Sequence, residues 1–163
     1  MTREERLIKN DRMRYTKDKL SSTLVMGAIV LDALYFVSIY QTDVGTWYYN
    51  WIIGASVIYN LLFMLIAFLA SEGVKSRKTG YTGLLIGIGL MQFVRIFYLP
   101  AKAHEAEVVI QEVAHAVMTD GQYAYVVACL AISGVCCIIA AITSFINNKT
   151  LENYLRDAEA EKK

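Results

Sequence analysis

Proline, loop cysteine and charge within apolar stretches are what this chain has least of. Pro100 is its one proline, so proline-rich linkers are excluded, and proline interrupts its long apolar runs at most once. The three cysteines, Cys129, Cys136 and Cys137, all fall inside the last of those runs. None stands in a segment expected to meet water, which excludes a disulfide framework or a CxxC pair. Small, polarizable packing residues are the expectation for them. The chain also lacks a GxxxxGK[ST] loop, an HExxH pair and a GxSxG elbow. Nucleotide hydrolysis on a phosphate loop, zinc peptidase chemistry and hydrolase-type serine chemistry therefore lose their residues. No basic patch with readout groups marks a nucleic-acid surface. No cofactor, metal site or catalytic residue is expected, and the segments between the apolar runs are too short for a folded enzymatic domain.

What is abundant is apolar length. Hydrophobic residues make up 56% of the sequence, against roughly 45–50% in soluble domains. The excess lies in four blocks, at about 22–40, 48–70, 81–99 and 123–146. A bilayer core about 30 Å thick needs roughly 20 apolar residues in a helix, and each block is that long. Continuous apolarity, rather than strict alternation, excludes the strands of a membrane barrel. The expected fold is an all-α integral membrane protein, a bundle of four transmembrane helices over 22–146. A charged segment, 1–21, precedes it and an amphipathic tail, 147–163, follows. The long lead of mixed charge points to a retained first helix, not a cleaved signal, and neither end carries a lipidation motif.

Charge placement orients the bundle. Of the 16 Lys and Arg residues, seven precede block one; Lys75, Arg77 and Lys78 lie between blocks two and three; Lys149, Arg156, Lys162 and Lys163 follow block four. Lys102 alone falls in the opposite connections, which carry Asp43, Glu105, Glu107, Glu112 and Asp120. Basic residues concentrate on the cytoplasmic side, so both termini are expected there, with a prokaryotic plasma membrane as the expected location. Trp47, Tyr48, Tyr49 and Trp51, with Tyr98, Tyr123 and Tyr125, stand at the outer block ends, where amphipathic rings favour the headgroup level.

Outside the blocks, 41–46 reads as a tight turn around Asp43-Val44-Gly45. Between Pro100 and Gln122, residues Val108, Val109, Glu112, Val113, Ala116 and Val117 fall on helical spacing. A short amphipathic helix capping the outer end, closed by Asp120-Gly121, is expected there. In the tail, Leu151, Tyr154, Leu155 and Ala158 form one apolar stripe of a short helix. A shift of sixty residues aligns Leu24, Met26, Gly27 and Leu31 with Leu84, Ile86, Gly87 and Met91, and places Asp32 on Gln92, a faint repeat of two parallel helical hairpins.

Polar residues within the blocks are the sharpest signal. Asp32 and Asn60 stand near mid-block, Gln92 and Arg95 in the outer half of block three. An Asp or Arg at a membrane-helix centre costs about 2.5–3.5 kcal/mol on insertion scales, so such groups face inward and seek partners. Asp32 and Arg95 lie several ångströms apart in depth at about 1.5 Å per residue, within an Arg side chain's reach. An Asp32–Arg95 ion pair with Asn60 and Gln92 is expected; snorkelling of Arg95 to the outer headgroups is the other arrangement. For helix packing, Gly83 and Gly87 form a GxxxG, and Cys129, Ser133, Cys137 and Ala141 a small-residue stripe every four. In the outer connection, Glu112 and His115 form one Glu-x-x-His near His104. A carboxylate-bridged metal bundle needs two such pairs and two more carboxylates, so a solvated acidic face is expected.

These features point to a non-enzymatic polytopic membrane protein. It would be an accessory or structural subunit bound, in the lipid bilayer, to a membrane-protein partner or to its own copies. A small oligomeric transporter or channel, with Asp32, Asn60, Gln92 and Arg95 lining the path, is the alternative. An enzyme acting on lipid is a third reading.

Overall fold

In a computed structural model, the described residues are 3–13, 16–42, 44, 51–110 and 113–160. Five helices and one hairpin account for most of them: α1 (Arg3–Met13), α2 (Lys19–Tyr40), α3 (Trp51–Lys75), α4 (Gly80–His104), β1 (Glu107–Ile110), β2 (Val113–Ala116) and α5 (Asp120–Ala160). Four of the helices, α2 to α5, are long and apolar enough to cross a membrane. They enclose a core of apolar side chains, among them Val25, Phe63, Leu85 and Leu130, that also holds polar groups, while large apolar side chains cover the outside. Asp32, Asn60, Gln92 and Ser133 are fully buried, whereas Val30, Ile58, Leu65, Val94, Phe97 and Ile142 are more than half exposed. Apolar side chains outside and polar ones inside suit hydrocarbon as the surrounding solvent.

α2 and α4 run in the same direction and face each other across the bundle, with α5 packed along both and α3 mainly against α2. The turn after α3 and the segments flanking the bundle gather at one end. There the Asp18 backbone N–H donates to the Lys75 carbonyl at 3.1 Å, and Arg77 Nε donates to the Thr16 carbonyl at 3.1 Å. Asp18 caps α2: its carboxylate accepts from the Ser21 N–H and hydroxyl, and from Asn147 Nδ2 of α5. A side-chain oxygen at this position satisfies backbone donors that a helix start leaves open. Ser22 and Ser71 join α2 to α3 just inside this end, 2.8 Å apart. α1 lies against the far part of α5, where the Tyr154 hydroxyl reaches Asp11 at 3.4 Å.

The opposite end differs from the expectation. Residues 107–110 and 113–116 pair as antiparallel strands, with Val108 opposite His115 and Ile110 opposite Val113, instead of an amphipathic helix. Val108, Val109, Ile110 and Val113 are β-branched, and stiff branched side chains favour a pleated strand over a helix. Glu112 and Gln111, between the strands, lie outside the described residues, as do Asp43 and 45–50. Capping of this end falls to Val117 and Met118, which are buried with Tyr35, Ile39, Leu99 and Ala103.

Three helix boundaries also move. α4 continues through Pro100 to His104, although proline lacks the N–H a helix interior uses and costs about 3 kcal/mol there. Leu99, Pro100 and Ala103 are all buried, and the packing of Leu99 and Ala103 in one cluster with Met118 and Val126 carries the helix past the break. Asp120 and Gly121, expected to close a loop helix, open α5 instead. Thr119 and Gln122 form a reciprocal capping box there: the Thr119 N–H donates to Gln122 Oε1 at 2.9 Å, and the Gln122 N–H to Thr119 Oγ1 at 3.3 Å. At its other end α5 does not stop near Ile146. It runs unbroken to Ala160, so the tail stripe belongs to the fourth span's own helix.

Candidate functional site

Inside the bundle, the four polar residues singled out in the sequence meet at one level. Arg95 Nη1 lies 2.7 Å from Asp32 Oδ1 and donates to Gln92 Oε1 at 2.9 Å. Arg95 Nη2 donates to Asn60 Oδ1 at 2.6 Å. Gln92 Nε2 donates to Asp32 Oδ1 at 2.9 Å and to Ser133 Oγ at 3.3 Å; Ser133 Oγ in turn donates to the Ala28 carbonyl at 3.0 Å. One network thus takes a side chain from every apolar span: Asp32 from α2, Asn60 from α3, Gln92 and Arg95 from α4, Ser133 from α5. Arg95 is only 9% exposed, so it does not snorkel. The Asp32–Gln92 contact joins the two positions that the sixty-residue shift superposes.

Two tyrosines complete the arginine's surroundings. The Arg95 guanidinium carbon stands 4.5 Å from the Tyr35 ring centroid and 4.7 Å from that of Tyr59. Cation–ring attraction operates within about 6 Å and strengthens when the pair is shielded from water. The sequence marks Ser133 as a packing residue only and does not single out Tyr35 or Tyr59. Their signal was positional. Tyr35 follows Asp32 by three residues, on the same helix face, and Tyr59 adjoins Asn60.

The network has loose ends. Asp32 Oδ2 and Asn60 Nδ2 are buried without a hydrogen-bond partner among the described residues. Beside it, α3 and α4 stand apart and leave a cleft of about 270 Å³, lined by Tyr35, Ala55, Ser56, Tyr59, Met91, Val94, Arg95, Tyr98 and Leu99. Its walls are apolar apart from the tyrosine and serine hydroxyls and the guanidinium. Met91, Val94 and Tyr98 are themselves exposed, so the cleft opens sideways, toward the surface that hydrocarbon would cover.

The packing residues divide. Cys129, Ser133, Cys137 and Ala141 are all buried along α5. Gly83 and Gly87 are exposed on α4, and a Cβ added at either would meet nothing within 4 Å. The close crossing uses other glycines. A Cβ at Gly134 would lie 2.9 Å from the Gly89 carbonyl oxygen and 2.9 Å from the Phe93 ring; one at Gly89 would lie 3.1 Å from the Gly134 oxygen. Helices approach this closely only where small residues meet.

In the hairpin region, His104 stacks on Tyr123 with ring centroids 4.3 Å apart, and its Nε2 lies 3.7 Å from Asp120. His115 stands exposed on β2, so the helical face assumed for Glu112 and His115 is not there. Among the described residues, no group of three His, Cys, Asp or Glu side chains is placed to share a metal ion. No family model, no curated protein and no solved structure matches this chain.

Proposed function

We propose that this chain is a non-enzymatic integral membrane subunit, with both termini on the cytoplasmic side, that acts by binding other membrane proteins. The observation that carries the reading is a polar network that ties all four spans together. Asp32, Asn60, Gln92, Arg95 and Ser133, at least one from each span, are joined to one another by five side-chain hydrogen bonds. They hold four spans in one arrangement and offer no nucleophile beside a base. A rigid bundle of this kind suits a scaffold. The exposed Gly83–Gly87 face of α4 is the surface at which a partner's helix could approach closely. The fourteen basic residues that the sequence groups with the termini and the turn after α3 support the cytoplasmic assignment.

A second reading, a small oligomeric transporter, draws on the cleft between α3 and α4 and on the unpartnered Asp32 Oδ2 and Asn60 Nδ2 beside Arg95. Ionisable groups in such positions mark substrate and proton paths in other membrane proteins. Purification from native membranes in mild detergent separates the two. The subunit reading expects other membrane proteins to co-elute in fixed ratio, and Gly87→Leu to release them while the chain stays folded. A lone homo-oligomer that moves ions or solutes in liposomes would overturn it.

A further inference from the structure

At the termini end, a second polar site stands apart from the Asp32–Arg95 network. The turn between α3 and α4 and the far part of α5 enclose an open groove of about 490 Å³. One wall is a single face of α5, carrying Asn148, Leu151, Glu152, Leu155 and Arg156 at helical spacing; the other is Arg77 and Thr79. Asn148 is 8% exposed, and neither its Oδ1 nor its Nδ2 has a hydrogen-bond partner among the described residues. An amide so buried loses its hydration without replacement, at a cost that a ligand in the groove would remove.

Three further features share one sign. Arg77 closes α3: its N–H donates to the Val74 carbonyl at 2.9 Å, and the Lys78 N–H to the Gly73 carbonyl at 3.0 Å. That pattern places Arg77 at the left-handed position usually held by glycine, and its φ is +57°. Nε is fixed on the Thr16 carbonyl, while Nη1 is buried without a partner. Arg156 brings a second guanidinium to the groove. Thr79 is the N-cap of α4 and its side chain makes no capping bond; the Tyr81 and Thr82 N–H groups donate to the Lys78 and Thr79 carbonyls, and the positive end of a 25-residue helix dipole adjoins the same space. Glu152 opposes this field with one carboxylate.

We infer that this groove binds a phosphoryl group, either the headgroup of a membrane phospholipid or a free phosphate. Arg77 Nη1 and Arg156 would neutralise it, Asn148 Nδ2 would supply a neutral donor, and the N-terminus of α4 would face its remaining oxygens. Arginine's planar fork matches two phosphoryl oxygens at once, and helix N-termini are ready anion sites. Leu151 and Leu155, half-buried in the α5 wall, would lie against the apolar part of a lipid. The inference does not require the subunit reading above.

The test follows the thermal unfolding midpoint of the detergent-solubilised full chain. Short-chain phosphatidylglycerol, inorganic phosphate and decanoate, an anionic amphiphile without phosphorus, are titrated in turn. A saturable rise is expected with phosphatidylglycerol, with phosphate, or with both, and none with decanoate. A response to the lipid alone assigns the site to a headgroup, and an equal response to phosphate assigns it to the soluble anion. Arg156→Gln, on an exposed side chain, and Arg77→Gly, which suits the positive φ, should each weaken the apparent affinity about tenfold. The inference is overturned by a flat titration with both phosphates, by a decanoate response equal to theirs, or by variants that bind as the parent does.

Discussion

Asp32→Asn should cost this protein most of its folded yield. The substitution leaves the Arg95 guanidinium buried between Tyr35 and Tyr59, with neutral partners only. Removing one member of a buried ion pair costs about 3–5 kcal/mol, a large part of the roughly 5–15 kcal/mol by which a domain is stable. Arg95→Gln should be milder, because a stranded carboxylate can take up a proton and a stranded guanidinium cannot shed one. The double substitution should cost less than the sum of the singles, by about 2–3 kcal/mol, since neither charge is then left alone. Thermal midpoints and monodisperse yield in detergent read all three variants. Simple additivity would show that the 2.7 Å contact contributes nothing beyond its two members.

The second large effect concerns glycines that no motif marks. Gly134→Ala puts a methyl group 2.9 Å from the Gly89 carbonyl oxygen, where a backbone, not a flexible side chain, must give way. The crossing of α4 and α5 has to open, and overpacking of this kind costs about 1–3 kcal/mol. Gly134→Leu should go further and prevent the two spans from meeting. Gly87→Ala, made in the same background, meets nothing within 4 Å. It should leave the stability unchanged or raise it by up to about 1 kcal/mol through helix propensity. Equal losses at Gly134 and Gly87 would contradict the placement of both.

That contrast shows where the sequence was readable. The GxxxG spacing reports small residues on one helix face, but not which face meets the bundle. Gly89 and Gly134 lie outside any such pattern, and their pairing exists only once α4 and α5 cross. The polar network was legible because the cost of burying Asp32 and Arg95 in an apolar run forces them to find partners. At a shared depth the choices are few. Ser133 was less visible, since a hydroxyl is cheap enough to sit in a span alone.

The hairpin end was read least well, and each error has a physical source. Val108, Val109, Val113 and Val117 satisfy helical spacing, but a run of β-branched residues this short supports both periods, and the branching decides. Pro100 marks a helix end only where nothing packs beyond it; Leu99, Ala103 and Met118 do. The end of the apolar block at Ile146 is not a helix end, because Asn147 to Thr150 include neither glycine nor proline to stop α5. Asp18, which caps α2 through Ser21 and reaches Asn147 of α5, stands just before an apolar run, where an Asp is a common cap.

The central claim is a four-span bundle whose termini share one side of a membrane, opposite the hairpin. Protease accessibility in sealed, inside-in vesicles tests it most directly, using epitope tags at the N-terminus, at the C-terminus and between Ile110 and Val113. The account predicts that the hairpin tag is cleaved from outside while both terminal tags survive until the membrane is opened. Terminal tags on opposite sides, or a chain released in the soluble fraction, would contradict it.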